Sequence, residues 1–172
     1  MGKGIAIVVL GLILTGCQAI GPGRSGPPEV EDLGEGSQRV ERQVPFPAQE
    51  YAKLEKTGSA TVSGRLFLET SSGVVPGAGE TVSIAPVTQY SAEAAQVVLA
   101  GKYIEPADPK AREYTHYATT DSRGYFTASG LPAGTFYIAG SVKPPGPNAQ
   151  RRIIINQISL SEGQTLEISL SR

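Results

Sequence analysis

Strict alternation of apolar and polar residues is the sequence feature that most narrows what this chain can fold into. In the stretch SATVSGRLFLE, the residues Ala60, Val62, Gly64, Leu66 and Leu68 point to one side, and the polar or larger residues between them point to the other. This is the period of a strand with one buried face. A half-buried β-sheet is therefore predicted to begin near residue 59.

Further alternating stretches, separated by turn signals, extend this pattern to the end of the chain. TVSIAPV predicts a second strand, and YATTDSRGYFTASGLPAGTFYIAGSV predicts three more, joined at Asp121–Gly124 and at Leu131–Gly134. Residues 154–160 and 166–170 predict a final antiparallel pair across SEGQ. The 21 glycines and 13 prolines suit many short strands better than a helical bundle. About seven short strands with close turns indicate an all-β antiparallel sandwich.

The N-terminal region carries a short apolar run that ends at the only cysteine. Residues 5–14 are apolar except for Gly11 and follow the single basic residue Lys3. The run is short for a membrane span, which needs about 20 residues, and is typical of the core of a secretory signal. An uncleaved anchor or a coincidental cysteine is the alternative interpretation.

The end of that run, LTGC, resembles the bacterial lipobox, formed here by Leu14, Thr15, Gly16 and Cys17. The resemblance implies that residues 1–16 are a lipoprotein signal peptide and that Cys17 becomes the lipidated first residue. Several acyl chains on one cysteine would hold the protein at a membrane. Because Gln18 follows the cysteine in place of Asp, the resemblance favours an outer membrane lipoprotein of a Gram-negative cell envelope.

The segment 17–57 is predicted to be a mostly disordered tether. It is rich in Gly, Pro and charge and shows no sustained period, so it buries too little apolar surface to offset its ordering entropy. The stretches Val44–Pro47 and Tyr51–Leu54 are candidates for docking on the domain or on a partner.

Four motifs of the alternating region resemble the carboxypeptidase regulatory-like domain. They are VSGR from Val62, VPGA from Val75, TTDSRGYF from Thr119 and LPAGTF from Leu131. The resemblance implies a seven-stranded, transthyretin-like (prealbumin-like) Greek-key β-sandwich over residues 58–172. Residues 79–81 lengthen the approach to the second strand, and Phe136 stands where the family often has Tyr. These motifs mark turns and core positions, so they identify a scaffold and carry no chemistry.

Residues 88–114 form an insertion that such a sandwich does not need. Ser91 is predicted to cap a helix over 92–100 that Gly101 ends, with Val97 and Val98 or Leu99 packing on the sandwich. The insertion is either a binding loop or a lid over a sheet edge. Its tyrosines are the candidate partner surface: Tyr90, Tyr103, Tyr114 and Tyr117.

The residue inventory predicts no catalytic site, no metal and no cofactor. One histidine and one cysteine cannot form a zinc centre, and no nucleophile elbow or phosphate-binding glycine loop is present. Glu105, Asp108 and Glu113 are the only candidates for a calcium site, and solvated loop charges are the simpler interpretation. His116 without partners is predicted to be an ordinary strand residue.

Three functions remain open for this non-catalytic chain. The first is a lipid-anchored module that presents the insertion to an envelope protein partner. The second is a carbohydrate-binding module of the starch-binding-like kind, although the absence of Trp weakens stacking on sugars. The third is a purely structural envelope lipoprotein. A net charge of −1 gives no reason to expect nucleic acid as a partner.

Overall fold

The computed structural model describes residues 39–172, which contain mostly β-strands and three short helices. In chain order these elements are β1 (Arg39–Val40), α1 (Ala48–Tyr51), β2 (Ala60–Thr70), β3 (Gly73–Pro76), β4 (Thr81–Pro86), α2 (Gln89–Leu99), β5 (Tyr103–Ile104), α3 (Pro109–Arg112), β6 (His116–Thr119), β7 (Tyr125–Leu131), β8 (Gly134–Val142), β9 (Arg152–Leu160) and β10 (Thr165–Ser171). The prediction of an all-β protein with a short helical insertion is confirmed.

Two four-stranded sheets make up the sandwich. In the first sheet, β2 pairs along one edge with β10, in parallel, and along the other edge with β7 and then β3, both antiparallel. The second sheet has the order β6-β4-β8-β9 and is antiparallel throughout. The pair formed by β1 and β5 is separate and parallel.

The core lies between the two sheets and follows the predicted alternation. Ala60, Val62 and Leu66 of β2 are fully buried, and so are Ile84 and Ile138 of the second sheet. Each of these strands therefore points its alternate side chains outward. The second sheet thus has an outer face as well as a face in the core.

The turns predicted as hairpins are instead corners between the sheets. The turn after Thr120 leads from β6 in the second sheet to β7 in the first, and the turn at Pro132 leads back to β8. The loop between β9 and β10 also changes sheet. The turn residues determine that the chain reverses direction. The strand with which the next segment pairs depends instead on contacts with residues distant in the sequence.

The corner after Thr120 has tightly specified chemistry. The Asp121 carboxylate accepts hydrogen bonds from the backbone N–H of Arg123 (2.8 Å) and Tyr125 (2.9 Å). Gly124 has φ +85°, and a Cβ there would collide with the carbonyl of Leu66. The corner therefore requires both the Asp and the Gly that the sequence places there.

The side chain of Thr120 ties this corner to the loop before β4. Thr120 is 4% exposed, its hydroxyl donates to the carbonyl of Gly77 (2.5 Å), and it accepts from the N–H of Glu80 (2.7 Å). A buried hydroxyl with both partners satisfied fixes the spacing between the two segments.

The sandwich has eight strands in its two sheets within residues 39–172, compared with the seven expected. The additional strand is β3, which lies between the first two strands predicted from the alternation. It pairs with the end of β2, where Leu68 lies opposite Val75 and Thr70 lies opposite Gly73.

The insertion helix begins earlier than predicted. Thr88, not Ser91, is the N-cap, and the two side chains form a reciprocal capping box with each other's backbone N–H. Ser91 is therefore the third helical residue. Val98 is half-buried and lines the cleft between the helix and the second sheet, whereas Leu99 is 64% exposed.

Residues 39–57 differ from the predicted disordered tether. This segment, here called the strap, contains β1 and α1 and lies against the insertion. Its apolar residues are too irregularly spaced to show a period, but they meet aromatic residues of the insertion and bury surface there. The rest of the predicted tether lies outside the described residues.

Candidate functional site

A cleft of about 380 Å³ lies between the outer face of the second sheet and the insertion. Its floor is made of outward-facing residues of β4, β8 and β9, and its roof is made of α2, β5 and the strap. The floor residues include Ser83, Ala85, Ala139, Ser141 and Ile153. Most of these side chains are small, so the roof and the floor leave a space that larger residues would fill.

The cleft is continuous with a second compartment of about 190 Å³. The two compartments share Ser83, Ala85 and Ala139 on the floor and Ala94 and Val98 on the roof. Together they have the size of a small-molecule site, which is usually a concave, largely apolar cleft with a few polar groups.

Arg42 joins the strap to the roof of the cleft. Its Nε donates to the carbonyls of Glu105 (3.1 Å) and Pro106 (3.4 Å), and its Nη1 donates to the carbonyl of Tyr90 (3.3 Å). The guanidinium lies 4.2 Å from the centre of the Tyr90 ring, within the range of a cation–π contact. Arg42 therefore acts as a structural clamp as well as a lining residue.

Two carboxylates of the insertion complete the attachment of the strap. Glu93 accepts from the backbone N–H of Gln43 (2.6 Å) and of Val44 (3.3 Å). Glu105 accepts from the backbone N–H of Arg42 (3.2 Å), and its own N–H donates to the carbonyl of Val40 (3.0 Å). Backbone groups of the strap are thus paired with the insertion between Val40 and Val44, as in a short added strand.

Behind these contacts, four aromatic rings form a second, smaller core. Tyr51 is 3% exposed, and its ring centre lies 4.9 Å from that of Phe46, 6.4 Å from Tyr90 and 5.2 Å from Tyr114. The Thr88 hydroxyl donates to the Tyr51 hydroxyl at 3.2 Å. Burial raises the pKa of Tyr51. The strap is therefore held by packed rings and not only by hydrogen bonds.

The four predicted tyrosines do not form one exposed surface. Tyr90 and Tyr114 belong to the aromatic core just described, and Tyr90 is only 4% exposed. Tyr103 on β5 and Tyr117 on β6 line the cleft. Burial raises the pKa of Tyr117, and the nearby charge of Arg112 acts in the opposite direction.

The acidic residues considered for calcium are not brought together. Glu105 binds the strap, Asp108 caps α3 by accepting from the N–H of Lys110 (2.8 Å), and Glu113 pairs with Lys56 (2.6 Å). Within residues 39–172, no group of three acidic, His or Cys residues is placed to hold a metal ion.

His116 lies at the start of β6, opposite Ile84 of β4. It is half-buried, and burial lowers its pKa. It is not among the residues that line the cleft.

Charge in the cleft comes from the strap and the insertion. The lining contains Arg39 and Arg42 from the strap, Arg112 from α3, and one carboxylate, Glu105. Hydroxyl groups of Ser83, Thr115 and Ser141 lie among them. This combination of aromatic rings, hydroxyls and cations can bind a polar ligand but offers no obvious nucleophile and base pair.

Sequence reasoning missed Arg39 and Arg42 because they lie in the segment predicted to be a disordered tether. It also missed the floor residues. The alternation around Ser83 places that side chain on the outer face, but nothing in the pattern indicates that another segment covers this face.

The lipobox residues Leu14, Thr15, Gly16 and Cys17 lie outside the described residues. Among the helices between residues 39 and 172, none is long and apolar enough to cross a membrane.

No protein-family model and no curated protein matches this chain. Among solved structures, it is similar to a Pseudomonas aeruginosa protein described as "a putative carbohydrate binding protein". The two share 25% sequence identity with a TM-score of 0.62, over 74% of this chain and 97% of the other. A 9R-lipoxygenase from Cyanothece has 11% identity and a TM-score of 0.34, over 81% of this chain and 18% of the enzyme.

Proposed function

We propose that this protein is a non-catalytic, lipid-anchored module of the cell envelope that binds a saccharide in the cleft between the second sheet and the insertion. The observation that carries the proposal is the cleft itself, in which Tyr103 and Tyr117 lie beside hydroxyl-bearing residues of the sheet. Aromatic faces and hydroxyls are the groups that contact the apolar faces and hydroxyls of sugar rings. The similarity to the Pseudomonas protein supports the proposal, because that protein is described as carbohydrate binding.

The proposal also includes the type of scaffold, the absence of catalysis and the location of the protein. The transthyretin-like Greek-key scaffold of the carboxypeptidase regulatory-like kind is supported by the four motifs, two of which form sheet-changing corners. The absence of catalysis is supported by the single histidine, and the outer membrane address is supported by LTGC followed by Gln18. The anchored protein would then meet envelope polysaccharide directly.

A glycan array probed with the full chain, followed by titration calorimetry on any saccharide it retains, tests the function. Tyr117→Ala and Tyr103→Ala should each weaken the affinity about tenfold or more, since loss of a stacking ring removes one to a few kcal/mol. Tyr125→Ala is the matched control, because Tyr125 is 47% exposed on the first sheet. Retention of no saccharide would contradict the proposal.

A protein partner is the second candidate, and the exposed end of the insertion helix favours it. Leu99 is 64% exposed at the end of α2, where an apolar side chain gains nothing from the fold. Photo-crosslinking from position 99 in cells should capture one defined envelope protein. Recovery of random neighbours would remove support for this candidate. If neither a saccharide nor a protein partner were found, and deletion of the protein weakened the envelope, a purely structural role would be favoured.

A further inference from the structure

The second compartment of the cleft is lined mainly by small aliphatic side chains. Of the described residues that line it, nine are alanine, valine or isoleucine, three are tyrosine, and only Arg42 carries a charge. A sugar ring presents hydroxyl groups around its edge, and these need polar partners when they leave water. Walls of this composition therefore suit an apolar part of a ligand better than the ring itself.

These small side chains come from the floor and from the roof of the cleft. Ser83, Ala139 and Ile155 lie side by side across β4, β8 and β9, and Ala94 and Ala95 line the compartment from α2. Alanine and serine are too short to reach across the space between the two surfaces. A volume of about 190 Å³ is therefore left that the protein does not fill.

Several polar side chains at this compartment already form hydrogen bonds within the protein. The Tyr90 hydroxyl accepts from the N–H of Asp108 (2.8 Å), and the Ser91 hydroxyl donates to the carbonyl of Pro86 (2.7 Å). The guanidinium of Arg42 donates to three backbone carbonyls. These groups have little capacity left for water or for the hydroxyls of a ligand, and a space lined in this way favours an apolar occupant.

We infer that the ligand is a saccharide carrying a short aliphatic chain, which lies in the second compartment while the sugar ring contacts Tyr103 and Tyr117 in the first. The inference rests on the proposed saccharide function and adds the chemical class of the substituent. The two compartments share Ser83, Ala85 and Ala139, so one ligand can occupy both. Since a water molecule takes up about 30 Å³ of liquid and a methylene group is of similar size, about 190 Å³ holds a chain of roughly six carbons.

The experiment measures, by titration calorimetry, binding of the full chain to methyl, propyl, hexyl and octyl glycosides, each below its micelle concentration. The sugars are β-glucose, β-galactose and any monosaccharide unit that the glycan array retains. Burial of one methylene group raises an affinity about three- to fourfold. In at least one series the hexyl glycoside, with five more methylene groups, should therefore bind about a hundredfold or more tightly than the methyl glycoside. The octyl glycoside should add little to this.

Two variants test whether the second compartment holds the chain. Ala95→Leu fills the compartment from α2 and should remove most of the advantage of the hexyl over the methyl glycoside. Ala100→Leu is the matched control, because Ala100 is exposed just after the same helix and does not line the cleft. Ile155→Ala enlarges the compartment and should make the octyl glycoside bind more tightly than the hexyl one, which keeps the test decisive even if Ala95→Leu does not fold.

The possible failures of the two proposals can be told apart. Equal affinity for the methyl and hexyl glycosides would overturn the inference and leave the saccharide function standing. The probe 1-hexanol supplies the chain without a sugar, and if it bound as tightly as the hexyl glycosides, the saccharide function would be wrong while the assignment of the compartment to an aliphatic chain would hold. If no glycoside, no saccharide on the array and no hexanol bound, both proposals would be wrong.

Discussion

Replacing Tyr51 with alanine is expected to detach the strap while the sandwich stays folded. Tyr51 is the most buried residue of the strap, and its ring contacts Phe46, Tyr90 and Tyr114. None of these rings belongs to the core between the two sheets. The substitution therefore removes the centre of one cluster without opening the other.

The size of the effect follows from the burial. Truncating a buried aromatic side chain to alanine costs about 3–5 kcal/mol, and each aromatic pair lost accounts for about 0.5–1.5 kcal/mol. Because one decade of an equilibrium constant is about 1.4 kcal/mol, the open population of the strap should rise roughly a hundredfold or more. Tyr51→Phe keeps the ring, loses the contact with Thr88 and should cost about 1 kcal/mol.

Amide hydrogen exchange read residue by residue is the appropriate assay. The N–H of Glu105, which donates to the carbonyl of Val40, and the N–H groups of Gln43 and Val44, which donate to Glu93, should lose protection by that factor. Amides in the centre of β2 should keep theirs. Tyr125→Ala, on the outer face of the first sheet, serves as the control.

Two results would refute this reasoning. If the β2 amides lose protection together with those of the strap, the strap and sandwich are one cooperative unit. If the strap amides are unchanged in Tyr51→Ala, the rings do not hold it.

Three further predictions concern other parts of the chain. Thr120→Val should lower the free energy of unfolding by about 1–3 kcal/mol, since it leaves the buried carbonyl of Gly77 without its hydrogen bond, whereas the exposed neighbour Thr119→Val should change little in a denaturant titration. Hydrogen bonds from the N–H of Tyr125, and then of Arg123, lower the pKa of Asp121 from 3.8. The stabilising contribution of this carboxylate is therefore complete above that value and is lost as the pH falls through its lower pKa in the folded state. Asp121→Asn should therefore reduce the dependence of the free energy of unfolding on pH in this acid range. An unchanged dependence would contradict the prediction. Cys17→Ser should abolish membrane partition and the mass of the attached lipid, and an unmodified wild-type protein would refute lipidation.

The sequence predicted the structure best within single strands, where the direction of each side chain follows from the local alternation. Alternation in β2 assigned the inward residues correctly, because the side-chain period of a strand is a local property. The chemistry of Asp121 and Gly124 also indicated a turn correctly. It could not indicate that the turn joins two different sheets, because that depends on which distant edge is available to the next strand.

The candidate site could be predicted only in part. The insertion was recognised from its length, and two of its candidate tyrosines, Tyr103 and Tyr117, line the cleft. Tyr90 and Tyr114 differ from them because they pack against the strap. The contacts between the strap and the insertion show no period in the sequence, so this difference could not be predicted. The cleft exists because three segments far apart in the chain meet over an otherwise ordinary sheet face.

The parallel pair of β2 and β10 sets a condition on how the chain can be made. Thr61 lies opposite Thr165, and Phe67 lies opposite Ser171, so the first long strand acquires this neighbour from a strand that is made much later. Until β10 has been made, one full edge of β2 lacks hydrogen-bonding partners, and an open edge is prone to pair with other chains. The nascent domain therefore depends on being kept apart from its own copies until β10 is available.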